Sequence, residues 1–464
     1  MNQRGLPEHL GNLLNPRAYP HPVARVELTQ TVASWVLVAG DFAYKIARVT
    51  DAGTDTPEGL LRRQQQCDEE VRLSRRYTPG LYVGTVRIVG GAEGASVGET
   101  GPVLDFATCL RGFDPRQTLD RLVQARAIEP HELALFGRDL SVVHAQLPAA
   151  SAARAPWSDW MNIRARLDRS VEAAARWARA PQWRDRILEL GAAMNRQLEG
   201  LATWIEARRA VGRVRECHGE LISRNVARLG PRLVAFNCRQ DAPENRFTDV
   251  AEEVSCLTTD LAGRGRPLHA QEFRNGYLAQ SGDYGVCRLL RLHEAHHGLV
   301  SANATAADPD ECARILKAAL AALRPAAPRM ILICGGGPAF GRNWLACRLT
   351  ELLGAVPLDA GDAAPDGAAS PGVMRAANDV LAGGYTVIVD VARSRRAQRT
   401  SLLELAAQAA VRSYIVDCRA RQASAAAGVS GSFEPVAADE AAEIIRLDAE
   451  DRGASDAVAC RILN

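Results

Sequence analysis

Residues 26–49 read as strand, turn, strand: 35–38 is apolar, Ala39-Gly40-Asp41 turns the chain, and 42–47 alternates in polarity. In that last strand Phe42, Tyr44 and Ile46 share one face, and Ala43, Lys45 and Ala47 share the other. Lys45 therefore rises from a floor of small side chains on which a flat ligand fits. A charged helix over 61–77 carries Asp68, Glu69 and Glu70, and further strands are expected over 81–89 and 102–110. Stretches rich in Ala, Leu and Arg, 115–148 and 160–210, read as helices. A small hairpin follows, 226–229 and 233–236 around Gly230-Pro231, and then more helix over 250–299.

The segment 301–308 is small, polar and followed by Pro309, as linkers are, which places a domain boundary near residue 306. Beyond it, a buried-type strand over 330–334 runs into Gly335-Gly336-Gly337 and a helix over 343–353. Two more strands, 385–389 and 413–416, end in Asp390 and Asp417. Strands separated by helices predict a parallel sheet with helices on both faces.

Composition adds boundaries to this picture. A chain of 464 residues exceeds what one core holds, so two or three domains are expected. The hydrophobic fraction of 47% and charged fraction of 24% are those of an ordinary globular protein. With 56 basic and 54 acidic residues the formal charge is +2, which provides no field to draw nucleic acid or an anionic membrane. The start lacks a signal-peptide pattern and no apolar run approaches the roughly 20 residues that span a bilayer, so a cytoplasmic location is the expectation. Eleven cysteines without a C-x-x-C pair predict reduced, mostly buried thiols.

The segment 213–225, RVRECHGELISRN, is followed by VAFNCRQD and then TDVAEEVSCLTTDLAGRGR. This series resembles bacterial proteins that fuse an aminoglycoside-phosphotransferase-like domain to a P-loop kinase-like domain, in which the matching stretches read RVRECHGDLHxGN, FDCIEF and IDVASDxAFLxMDLEARGR. ELTQTVASWVLVAGDFAYK, CDEEVRLSRR, TLDRLVQARAIEPHEL and VIVDVARSRRAQR fit the same family in order. The resemblance implies an α+β protein-kinase-like domain over 1–305 and an α/β three-layer P-loop domain with a parallel sheet over 306–464. It also implies ATP and Mg²⁺ as cofactors and a small-molecule acceptor.

In such folds a strand lysine holds phosphates, a helix glutamate holds the lysine, an aspartate is the catalytic base, and an asparagine and a second aspartate hold Mg²⁺. Lys45 matches the lysine, Glu70 or its neighbour Glu69 the glutamate, and Asn225 the metal-binding asparagine. Lys45 outside this match would read as a solvated strand lysine. The catalytic aspartate is here Glu220, the second metal aspartate is Asn237, and the family's intervening histidine and glycine are Ile222 and Arg224. Glutamate carries its charge one methylene further, and a misplacement near 1 Å costs on the order of a hundredfold in rate. Asparagine removes one negative charge from a cation site. Asp241 and Asp249 are the neighbouring carboxylates that offer substitutes.

The P-loop pattern G-x-x-x-x-G-K-[S/T] appears as GGPAFGRN, with its glycines kept at Gly336 and Gly341, Gly337 adding a third to the loop, Arg342 in place of the lysine and Asn343 in place of the hydroxyl. Asp390 stands at a strand end as a metal-directing aspartate does, and as a helix cap also does. Asp362 matches the family's aspartate after the second strand, and no basic lid is legible over 419–435. These substitutions predict a nucleotide-binding protein with weak or lost Mg²⁺ chemistry and a regulatory or scaffolding role. The alternative is an active kinase with Glu220 as base. A third reading is His293-Glu294-Ala295-His296-His297, which satisfies the zinc signature H-E-x-x-H with Glu311 as the downstream candidate ligand. Here a partly exposed histidine cluster is the competing expectation.

Overall fold

The structure, a computed structural model, describes residues 6–463 except 32, 49–55, 92–93, 152, 179–180, 241–242, 305–308, 325–326, 336–338, 362–363, 365–366, 392–394, 420–433 and 449–453. The chain divides into two compact units, 1–128 with 216–247, and 129–215 with 248–464. The boundary expected near 306 therefore falls inside the second unit.

In the first unit, β1 (Val26–Gln30), β2 (Ser34–Ala39) and β3 (Phe42–Ala47) form a meander, followed by α1 (Pro57–Ser74), β4 (Tyr82–Gly91), β5 (Gly94–Val97), β6 (Val103–Arg111) and α2 (Leu119–Gln124). The six strands make one antiparallel sheet in the order β1-β2-β3-β6-β4-β5. Its register sets Lys45 opposite Val36 on β2 and Thr108 on β6. The face with Tyr44 and Ile46 closes over Leu10, Leu13 and Tyr19 of the N-terminal segment. The opposite side gathers Val71 of α1 with Tyr82 and Leu110, against which Ala43 packs. α1 starts at Pro57 rather than 61 because Thr56 caps it, accepting from the Gly59 N–H, and proline is accommodated in a first turn.

The longer helical stretches are interrupted: α3 (Pro130–Gln146) and α5 (Pro181–Ala210) restart on proline, and α4 (Trp160–Trp177) starts at the Asp159 cap, which accepts from the Asn162 N–H. The chain crosses between units near β7 (Val214–Glu216), forms the hairpin β8 (Val226–Leu229) and β9 (Arg232–Ala235), and returns through α6 (Pro243–Arg246) and β10 (Phe247–Asp249). Helices α7 (Val250–Gly263), α8 (Pro267–Ser281), α9 (Cys287–Ala304) and α10 (Pro309–Ala322) follow. The expected linker thus begins inside α9, its residues 305–308 lie outside the described residues, and Pro309 opens a helix that buries Cys312, Leu316 and Ala319.

The α/β part contains β11 (Arg329–Cys334), α11 (Ala339–Leu353), β12 (Val356–Asp359), α12 (Pro371–Ala382), β13 (Val387–Asp390), α13 (Arg396–Gln408), β14 (Arg412–Arg419), β15 (Glu443–Asp448) and α14 (Ala454–Leu463). The sheet is parallel throughout, in the order β12-β13-β11-β14-β15. The edge strands β12 and β15 extend the three-strand expectation. β12 contains Pro357, which only an edge tolerates. Side chains of α8 and α9 grip this part by its backbone: Gln271 Nε2 donates to Thr350 O at 2.6 Å, Asn275 Nδ2 to Ala355 O at 3.1 Å, and Arg291 to Gly383 O and Gly384 O at 2.9 and 2.7 Å. The guanidinium groups of Arg274 and Arg291 both lie over the Tyr385 ring, 4.7 and 5.0 Å from its centre.

α3 and α8 approach through two glycines. A Cβ on Gly137 would lie 2.2 Å from Phe273 O, and one on Gly276 2.1 Å from Ala134 O. Backbone cannot yield as a side chain does, so Gly137→Ala or Gly276→Ala is expected to destabilise the protein by about 1–3 kcal/mol through overpacking. Denaturant unfolding measures this, and a loss within error of zero would show that the helices separate freely.

Candidate functional site

The alternation of β3 turns Lys45 to the face where α1 brings Glu70, and Lys45 Nζ lies 2.9 Å from Glu70 Oε1. The other carboxylate oxygen of Glu70 accepts from Thr108 Oγ1 of β6 at 3.4 Å. Glu70 is 3% exposed, so its charge is buried and paired. Glu69 faces elsewhere, toward Arg72 at 2.6 Å and Arg246 at 3.3 Å. Of the two adjacent glutamates, Glu70 is the one the structure joins to Lys45.

Lys45 Nζ also donates to Asn237 Oδ1 at 2.6 Å, Asn237 Nδ2 to Asn225 Oδ1 at 2.9 Å, and Asn225 Nδ2 to Glu220 O at 2.9 Å. Chemistry fixes the direction of this chain. An ammonium only donates, so the Asn237 oxygen must face Lys45 and its amide nitrogen must face Asn225. Asn237 has φ +62°, a conformation asparagine tolerates better than most residues. Its backbone N–H donates to Tyr82 Oη at 2.8 Å, and the next N–H, of Cys238, donates to Ser74 Oγ at 3.1 Å. Burial raises the Tyr82 phenol well above its ordinary pKa, which keeps it neutral.

Before this chain lies the loop His218-Gly219-Glu220. His218 is fully buried, with Nε2 2.8 Å from Phe236 O and Nδ1 3.4 Å from the Glu220 N–H, which together specify the Nε2–H tautomer. Gly219 has φ +84°, and a Cβ there would come 2.9 Å from Arg246 Cγ. The Glu220 carboxylate turns to Arg224 at 2.7 Å. Of the proposed substitutes, Asp241 lies outside the described residues. Asp249, in the second unit, is held by Arg208 at 2.7 and 2.8 Å and accepts from the Ala251 N–H at the start of α7.

Glu216, just before the loop, binds Arg72 at 2.8 Å and Arg76 at 2.6 Å, with Arg246 at 3.6 Å. Burial pushes its carboxyl upward, but the hydrogen bonds from Arg72 and Arg76 outweigh it and hold the pKa at about 2. The sequence reading missed this network and Tyr82. Arg72 lies in the last turn of α1 and Arg76 in the turn that follows it, and their four-residue spacing is the signal in the sequence.

In the second unit, Gly336 and Gly337 lie outside the described residues and Gly341 lies within α11. Arg342 folds back: Nε is 3.3 Å from Asp390 Oδ1, and Nη1 donates to Gly335 O at 3.4 Å. Asn343 is exposed. Asp390 closes β13 in register with Ile333 of β11, so the cation-directing candidate is paired with the phosphate-directing one. Asp362 and 420–433, where a lid was sought, lie outside the described residues.

The histidines of α9 are less exposed than expected: His293 and His296 are 3% and 5% exposed. His296 Nε2 lies 3.0 Å from Ser170 Oγ, His297 Nε2 3.3 Å from Glu252 O, and His293 Nδ1 3.8 Å from Glu252 Oε2. Burial lowers all three, His297 to about 4, so they are neutral near pH 7. Glu294 receives Thr258 Oγ1 at 3.3 Å. Among the described residues, His293 and His297 gather no third His, Cys, Asp or Glu at ligand spacing, and the Glu311 side chain lies outside them. The pair alone does not make the three-ligand zinc site that the motif requires.

No family model matches the chain. Uncharacterized proteins of Mycobacterium bovis and of two Mycobacterium tuberculosis strains are each 24% identical over 373 residues, covering 74% of this chain and 69% of theirs. Among solved structures, a choline/ethanolamine kinase family protein from Mesorhizobium loti is 13% identical, covering 70% of this chain and 91% of that one with a TM-score of 0.39. ADP-bound aminoglycoside phosphotransferase APH(2'')-Ib is 10% identical over 68% and 98% of the two chains, TM-score 0.38. An aminoglycoside phosphotransferase from Alicyclobacillus acidocaldarius is 14% identical over 66% and 93%, TM-score 0.38. No helix among the described residues is long and apolar enough to cross a membrane.

Because the folded pKa of Glu216 is depressed, the stability it contributes is present above the ordinary carboxylate pKa and lost as pH falls from about 4.5 to about 2. The loss is expected to be on the order of 3 kcal/mol. Urea unfolding of Glu216→Gln across that range should show a flatter pH dependence than the unsubstituted protein, and identical slopes would remove Glu216 from the acid response.

Proposed function

We propose that the first unit binds ATP with little dependence on Mg²⁺, and that the chain serves as a nucleotide-responsive regulatory or scaffolding protein descended from small-molecule phosphotransferases. One observation carries this reading: the chain Glu70, Lys45, Asn237, Asn225, at 2.9, 2.6 and 2.9 Å. Lys45 has three N–H donors, and two are engaged, which leaves one for a phosphate oxygen. The two positions that would hold Mg²⁺ are neutral amides, and both of their oxygens already accept protein hydrogen bonds. Mg²⁺ sheds water reluctantly and is bound through carboxylates, so this donor set does not fit it. An aspartate at 237 could not donate to Asn225, so the amide itself closes the chain.

The second reading, a working kinase with Glu220 as base, draws on the carboxylate retained in the loop. Its ion pair with Arg224 works against it, because a general base must reach the acceptor hydroxyl. In the second unit, strand order reverses around β11, and the Gly-rich loop begins at the carboxyl end of that strand. Open parallel sheets bind ligands at such a point, which supports a phosphate site there. Arg342 paired with Asp390 would have to release it first.

Thermal-shift titration with ATP in EDTA and in Mg²⁺ is the test. Equal stabilisation in both is expected, about 2.7 kcal/mol at a hundredfold excess over Kd. Lys45→Ala should abolish it and Asn237→Asp should make it Mg²⁺-dependent. No stabilisation by any nucleotide defeats the proposal, and ATP turnover that Glu220→Ala abolishes establishes the second reading instead.

A further inference from the structure

Three of the nine histidines, His293, His296 and His297, stand on α9 at helix spacings of three and four residues and meet α4 and α7. The rings of His296 and His297 lie 5.8 Å apart. Their protons can be placed from their partners. Ser170 gives its one hydroxyl proton to Arg166 O at 3.1 Å, so His296 Nε2, 3.0 Å away, donates to the serine oxygen. His297 Nε2 faces the carbonyl of Glu252, which only accepts. A proton taken up in acid therefore goes to Nδ1. The Nδ1 atoms of His293 and His296 are buried without a hydrogen-bond partner. A bare ring nitrogen is tolerated there, but an N–H would be an unanswered donor carrying a charge.

The surrounding charges do not answer it either. Glu252 of α7, whose Oε2 is 3.8 Å from His293 Nδ1, already accepts from Arg166 of α4 at 2.6 Å and from Thr248 Oγ1. One guanidinium thus stands in the group before any ring is charged. Asp249, the next carboxylate toward His293, is bound by Arg208 of α5 at 2.7 and 2.8 Å, and Arg208 also holds Asp283. α10 packs on α9 with buried Cys312, Leu316 and Ala319, while its Arg314 and Lys317 are exposed. α12 directs Asp379 to Arg288, and Glu294 of α9 itself receives Thr258.

We infer that these histidines form an acid-sensitive latch: in mild acid the rings take up protons, and α9 parts from α4 and α7. α9 also holds the α/β part, through Arg288 on Asp379 at 2.8 Å and Arg291 on the carbonyls after α12, so its release loosens that grip as well. Burial disfavours the charged ring and sets all three folded-state pKa values below the ordinary 6.5, His297 at about 4. The opened helix takes up protons first. The latch is therefore closed above about pH 6.5 and gives way as pH falls toward about 4, a window that begins where Glu216 is still fully ionised.

Amide hydrogen exchange of the full chain, compared near pH 7 and near pH 5 after correction for intrinsic rates, tests the latch. Peptides of α9 and of the α4 and α7 surfaces against it are expected to lose protection about a hundredfold or more, while those of β2 and β3 change by less than about twofold. His296→Gln retains a donor for Ser170 and cannot charge, so its loss is expected to be about tenfold smaller. Exchange at the imidazole C2 carbon reads each ring of the unsubstituted protein and decides the matter even if the variant does not fold. All three rings should titrate below the ordinary histidine value. Rings that titrate at that value, α9 protection equal at both pH values, or a loss that His296→Gln leaves unchanged overturns the inference.

Discussion

A buried carboxylate must be answered, and Glu70 is answered by elements that meet nowhere else in sequence. α1 carries the charge, β3 supplies the ammonium, β6 a hydroxyl, and the turn after β9 the asparagine that steadies the ammonium. Removing one partner of such a buried pair costs about 3–5 kcal/mol, because the other charge is left in low dielectric. The face of β3, the rotation of α1 and the left-handed backbone at Asn237 are therefore set together. Glu69 and Glu70 divide the labour: one faces the strand lysine, the other the arginines that hold Glu216 and the loop behind it.

The second unit is assembled on a different principle. Its α/β part is joined to α8 and α9 by side-chain amides and guanidinium groups directed at backbone carbonyls at the ends of α11 and α12. Three of those carbonyls, of Ala355, Gly383 and Gly384, belong to the turns that follow the helices, so the contact fixes the points where the chain leaves α11 and α12. Tyr385 adds an aromatic face on which both Arg274 and Arg291 rest.

Much of this was legible in the residues. Alternation alone placed Lys45 opposite Tyr44 and Ile46, and the Gly230-Pro231 turn marked the hairpin where it forms. What escaped was set by tertiary partners. Nothing in the spacing of Glu69 and Glu70 says which meets the lysine, since adjacent helix positions point about 100° apart and the answer lies in the distant Arg246. α10 was read as the far side of a linker because Pro309 marks a break and a helix start equally. β12 and β15 were passed over as short edge strands whose polarity follows solvent rather than core. The histidines of α9 satisfied a motif, yet their environment comes from α4 and α7, which no five-residue pattern encodes.

Asparagine side chains age: the next residue's backbone nitrogen attacks the amide carbon, and aspartate results. At Asn237 that nitrogen belongs to Cys238, which has no exposed surface and whose N–H is held by Ser74 Oγ at 3.1 Å. The attack would have to break that bond and turn a buried peptide. The same hydroxyl that fastens the turn to α1 thereby shields the neutral amide from slow hydrolysis.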